Sequence, residues 1–142
     1  MSEKAEHLKM VQTIISRMAS NSFLIKGWCV TIVSAILALA AKEPNKLFIA
    51  VALFPVIMFW ILDGYFLYQE RLFRKLYESV KKIDESSVDY SMDTSSFQNE
   101  TSWRGAIFSS TLNLFYIFIL FLIVSIFCIA LLLPSSIVPV GK

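Results

Sequence analysis

Between Leu47 and Tyr68 the chain reads LFIAVALFPVIMFWILDGYFLY, an apolar run with a single charged residue, Asp63. As a helix rising 1.5 Å per residue it extends about 33 Å, enough to cross the roughly 30 Å hydrocarbon core of a bilayer. It then passes without Gly or Pro into QERLFRKLYESVKKI, where Leu72, Phe73, Leu76, Val80 and Ile83 form an apolar stripe beside Arg71, Arg74, Lys75, Glu78, Lys81 and Lys82. This reads as one long helix whose first part lies in lipid and whose second part emerges into water.

Two further apolar blocks flank that run. The first spans Phe23 to Ala41 and the third is carried by Leu112 to Leu133, with Pro134 ending it. In a chain of 142 residues that is 56% apolar, with a mean hydropathy of +0.64, three spans leave too little sequence for a large soluble core. The opening MSEKAEHLKMV lacks the apolar core and cleavage site of a secretory signal. The expected fold is an all-α integral membrane protein with three transmembrane helices. It divides into an amphipathic helix over 1–22, a transmembrane hairpin over 23–68, a helical extension and acidic linker over 69–104, a third transmembrane helix over 105–134 and a tail over 135–142.

In the first segment Leu8, Val11, Ile15 and Met18 share one helical face, suited to packing on the stripe of residues 72–83 or to lying on the membrane. Asn21 and Ser22 either cap this helix or let it continue into the first span. Within that span Gly27, Thr31, Ala35 and Ala38 approximate a small-residue face on which another helix can approach closely. KEPNK, residues 42–46, is a turn between antiparallel spans, and Pro55 is expected to kink the second.

A short turn allows depths to be compared across the hairpin. Lys26 precedes Ala41, and Asp63 follows Leu47, by nearly the same number of residues, so both lie roughly 22–24 Å from the turn. An intrachain ion pair is therefore geometrically reasonable. The competing readings for Asp63 are a place on an oligomeric pathway and simple contact with the wet interface.

Lysine and arginine placement sets an expected orientation. Lys4, Lys9, Arg17, Lys26, Arg71, Arg74, Lys75, Lys81, Lys82 and Arg104 fall on one side, and Lys42, Lys46 and Lys142 on the other. That asymmetry favours a cytoplasmic N terminus and central region, with the C terminus periplasmic or extracellular. Trp28, Trp60 and Trp103 all fall toward the same inner interface.

Residues 84–102, DESSVDYSMDTSSFQNETS, read as an exposed acidic linker, and their carboxylates lack calcium-loop spacing. His7 stands alone, while Cys29 and Cys128 sit in different apolar blocks as small hydrophobes. No metal cluster, phosphate loop or nucleophile elbow is present in the sequence, so neither enzymatic activity nor a cofactor is expected. With a net charge of +2 and acids among its bases, the chain is not expected to bind nucleic acid.

The stretches RMASNSFLIKGW and FWILDGYFLYQERLFRKLYE carry a resemblance, within residues 12–83, to small uncharacterised bacterial membrane proteins of mobile and defence-associated settings. They also resemble the transmembrane modules of anti-phage defence effectors. The resemblance implies short multispan chains that oligomerise and disturb a bilayer.

Together these readings lead to an expected homo-oligomer of the bacterial inner membrane that forms a pore or permeabilises the membrane on a cytoplasmic signal. Lys26 and Asp63 would set or gate the hairpin, and the stripes of residues 8–18 and 72–83 would form an assembly surface. The alternative is a non-conducting scaffold or accessory subunit that anchors a soluble protein partner.

Overall fold

The computed structural model describes residues 2–42 and 46–132, the Lys46 side chain excepted; the hairpin turn over 43–45, the end of the third apolar block and the C-terminal tail lie outside them. The fold is all-α. Helix α1 runs Glu3–Lys42, α2 Lys46–Val51, α3 Leu53–Lys82, α4 Trp103–Ile107 and α5 Ser110–Leu132. Three stretches, Glu3–Lys42, Leu47–Lys82 and Ser110–Leu132, are long and apolar enough to cross a membrane. No more than 28% of the most apolar window of any of them is buried within the chain. Leu114, Phe121 and Leu132 are among the side chains that project outward almost fully. A surface this apolar requires lipid tails as its solvent, and the protein is a multi-pass α-helical membrane protein.

Helix α1 continues through Asn21 and Ser22 for 40 residues, about 60 Å in all. Ser22 lies inside this helix and caps nothing, and its hydroxyl donates sideways to Asp63 on α3. Lys42 in the last turn complements the negative end of the helix dipole.

The disturbance expected from Pro55 falls slightly earlier. Lacking an N–H, Pro55 cannot donate to the Val51 carbonyl, and the helix is interrupted at Ala52, between α2 and α3. Ala52 itself stays in the right-handed helical region (φ −62°, ψ −20°), and its N–H still donates to the Phe48 carbonyl at 3.2 Å. The span therefore keeps its helical course through the interruption.

Two cores hold these elements together. In the apolar half Cys29 and Val33 of α1 meet Ile49 of α2, Ala52, Val56 of α3 and Leu112, Tyr116 and Ile123 of α5. At the polar end Val11 and Ile15 close against Leu76 and Val80, with Leu8, Phe73 and Tyr77 packed beside them. The two amphipathic stripes thus cover each other. Val11, Ile15, Leu72, Leu76 and Val80 are buried inside the chain and cannot serve as an open assembly surface, whereas Leu8, Met18 and Phe73 are half-buried and Ile83 is exposed.

Residues 84–102 are largely exposed, and they fold as a cap against the apolar core at the polar end. Two 3₁₀ turns, Glu85–Ser87 and Ser95–Glu100, shape the cap. Val88 is buried there, and Met92 and Phe97 pack beside it. The serines and acids serve local turns: the Ser91 and Ser95 N–H groups donate to Asp89 and Asp93 carboxylates, each at 2.9 Å. Tyr90 adopts φ 55°, a left-handed conformation uncommon for a bulky residue, and lies edge-on to buried His7 at 5.7 Å.

The start of the third span is divided. Ser102 caps α4 by accepting the Gly105 N–H at 3.2 Å, and a break at Phe108 and Ser109 leads into α5. Among the described residues Asn113 bonds to no neighbouring span. Its amide donates to the Phe108 carbonyl at 3.1 Å and closes this local break.

Candidate functional site, a closed polar network between three helices

One helical turn separates Ser22 from Lys26 on α1, which places both on one side of that helix. Opposite them Asp63 has a fully buried side chain, while that of Lys26 is 19% exposed. The ammonium Nζ of Lys26 donates to Asp63 Oδ2 at 2.5 Å and to Ser22 Oγ at 2.8 Å. Ser22 donates to the other carboxylate oxygen, Oδ1. From α5, the Tyr116 hydroxyl donates to Asp63 Oδ2 at 3.0 Å and lies 3.2 Å from the Phe59 carbonyl oxygen.

A carboxylate without such donors would be strongly disfavoured away from water. Here one cation and two hydroxyls from two other helices satisfy it. Breaking a buried pair by removing one member leaves the other charge uncompensated, so the network makes the relative position of the helices specific. It has the construction of a latch between α1, α3 and α5.

Aromatic packing seats the latch. The Trp60 ring stacks on Tyr116 at 5.6 Å and 7°, and Trp60 Nε1 donates to the Ile107 carbonyl at 3.0 Å. Phe115 meets Tyr116 edge-to-face at 4.9 Å. Next to Asp63, Gly64 is buried against α4: a Cβ there would lie 2.3 Å from Ile107 Cγ1 and 3.1 Å from Ile107 Cα. Only a hydrogen at that position allows the two backbones to come this close.

The remaining expected site residues are elsewhere. Gly27, Thr31, Ala35 and Ala38 are exposed on α1, and the intrachain seam instead uses Ile25, Cys29 and Val33. A Cβ at Gly27 would meet nothing within 4 Å, and the Thr31 hydroxyl donates back to the Gly27 carbonyl at 2.9 Å. Pro55 lies at the interruption of the second span, outside the latch. Among the described residues no group of three or more His, Cys, Asp or Glu is arranged to hold a metal ion.

The sequence offers Ser22 only as a helix cap or a continuation into the first span, and it does not single out Tyr116. The four-residue spacing from Ser22 to Lys26 was a usable signal, because it repeats a helical face. Nothing comparable pointed to Tyr116, whose role depends on how α5 is rotated about its axis. Comparisons with protein-family models, curated proteins and solved structures gave no match.

Proposed function

We propose that the protein is a non-conducting scaffold of the bacterial inner membrane, assembled as a homo-oligomer, that presents its capped polar end to a soluble protein partner in the cytoplasm. The observation that carries this reading is the closure of the Ser22–Lys26–Asp63–Tyr116 network within one chain. Lys26 and Asp63 bind each other, which favours a structural role for them over lining an aqueous route. The continuous α1 and the α3 extension then act as a paired strut that holds the cap at a fixed distance from the bilayer. The function is mechanical and needs no catalysis. Cytoplasmic placement of the polar end is supported by its excess of lysine and arginine.

A pore-forming or membrane-permeabilising effector is the second reading. It is favoured by the stripe of Gly27, Thr31, Ala35 and Ala38, which the chain leaves uncovered and which suits close approach by a second copy. Ion and dye release from liposomes containing the purified oligomer separates the two. A scaffold gives no flux with or without the Lys26→Met substitution; flux that changes with Lys26→Met or Asp63→Asn establishes the effector.

A further inference from the structure

Beyond the apolar end of the second span, Arg71, Arg74 and Lys75 follow at the three- and four-residue spacings that place them on one side of α3. They line a groove of about 300 Å³ between α3 and residues 100–105. An adjoining groove of about 540 Å³ shares Arg74, Lys75 and Glu100. Two of the cations have acidic partners: Arg74 pairs with Glu70 at 2.8 Å and Lys75 with Glu100 at 2.7 Å, the latter between well-exposed side chains. Arg71 pairs with no carboxylate among the described residues, and its guanidinium donates to the Gly105 carbonyl at 3.1 Å. Thr101 also lines the groove. It is only 8% exposed, and its hydroxyl has no hydrogen-bond partner among the described residues.

The height of this groove suits a membrane lipid. Measured along α3 from Tyr68, the last residue of the apolar run, Arg71, Arg74 and Lys75 lie about 5, 9 and 10 Å outward. The headgroup layer occupies about the first 5–8 Å beyond the hydrocarbon, and long cationic side chains reach back into it. Trp103, half exposed two residues after Thr101, is the kind of side chain that marks this boundary. The geometry points to a binding site for the phosphate of an anionic phospholipid, with Arg71 as its main charge and Arg74 and Lys75 beside it. The guanidinium supplies paired N–H donors matched to phosphate oxygens. Its acyl chains would leave along the lipid-facing surface of the spans.

The test uses full-length protein in phosphatidylcholine nanodiscs with a minor fraction of phosphatidylglycerol carrying a photoactivatable group near the phosphate. Crosslinks are expected on residues 71–75 and 100–105. Retention of phosphatidylglycerol over phosphatidylcholine, read by native mass spectrometry, should fall roughly tenfold in Arg71→Gln, the loss of one charge-assisted contact. A several-fold fall is expected in Arg71→Lys, which leaves the net charge unchanged but removes the paired N–H donors. The double substitution Lys9→Gln/Arg17→Gln removes more charge from the same end and should change retention little. Equal losses in that double variant and in Arg71→Gln, with Arg71→Lys unaffected, would overturn the site in favour of diffuse surface attraction. Loss of the crosslinks on addition of inorganic phosphate would overturn the lipid as occupant. Because Arg71 also holds Gly105, Arg74→Gln provides a variant that leaves that contact intact, and it too must lower retention.

Discussion

The Tyr116 hydroxyl on α5 donates to the carboxylate of Asp63 on α3 at 3.0 Å, so the third span is tied to a charge that the hairpin has already paired. Tyr116→Phe removes this donor and leaves the stack on Trp60 in place. The expected loss of stability is about 1.5–3 kcal/mol, the magnitude for a hydrogen bond to a charged group. Thermal unfolding in a mild detergent measures it.

Removal of either charge should be worse than removal of both. Lys26→Met or Asp63→Asn alone leaves an uncompensated group at the helix crossing, at a cost of about 3–5 kcal/mol. The double variant Lys26→Met/Asp63→Asn should recover part of that loss. Additive losses in the same unfolding measurement would show that the two groups are energetically independent.

Two glycines should respond oppositely to the same substitution. Gly64→Ala drives a methyl group into Ile107 and forces α4 away, at about 1–3 kcal/mol. Because Trp60 bonds to the Ile107 carbonyl, tryptophan fluorescence should report the displacement. Gly27→Ala meets open space and should be neutral or stabilising by up to about 1 kcal/mol, the gain in helix propensity.

At the polar end, Leu76→Ala opens a cavity where α1, α3 and the cap meet. A loss of about 2–5 kcal/mol is expected. The cap should become the first site of cleavage in limited proteolysis, while the spans stay protected by detergent.

Acid should loosen the cap as well. The backbone N–H and the hydroxyl of Ser95 donate to Asp93 and hold its carboxyl below the ordinary value of 3.8. A carboxyl depressed in the folded state contributes its stability above 3.8 and loses it as pH falls toward the lowered value. Hydrogen exchange across residues 91–97 should therefore be unchanged from neutrality to about pH 5 and accelerate, relative to the intrinsic rate, below the ordinary carboxylate range. Asp93→Asn, which cannot titrate there, should flatten that dependence.

Hydropathy and helix rise made the three spans legible, and they placed Lys26 and Asp63 at one depth without any knowledge of packing. Rotation about each helix axis was not legible. Cys29 and Gly27 are two positions apart, yet Cys29 faces the core and Gly27 faces out, and small size alone does not say which side meets the intrachain seam. The covering of Leu76 and Val80 by Val11 and Ile15 was one of several possibilities while Asn21 and Ser22 were candidates to end the first helix. In the fold α1 runs unbroken through Ser22 and the two stripes meet. The cap was hidden for another reason: Val88, Met92 and Phe97 are spaced by turns built from serine and aspartate, with no regular period to detect.

An unbroken α1 has a mechanical corollary. Its roughly 30 Å on the polar side of Ser22 is rigidly joined to the part immersed in lipid, with no joint to absorb rotation. Leaning the rod by about 10°, as a thinner bilayer would favour, swings its outer tip by about 5 Å. Membrane thickness and the position of the cap are thus geared to each other, and inserting a glycine pair at Asn21 would disengage them.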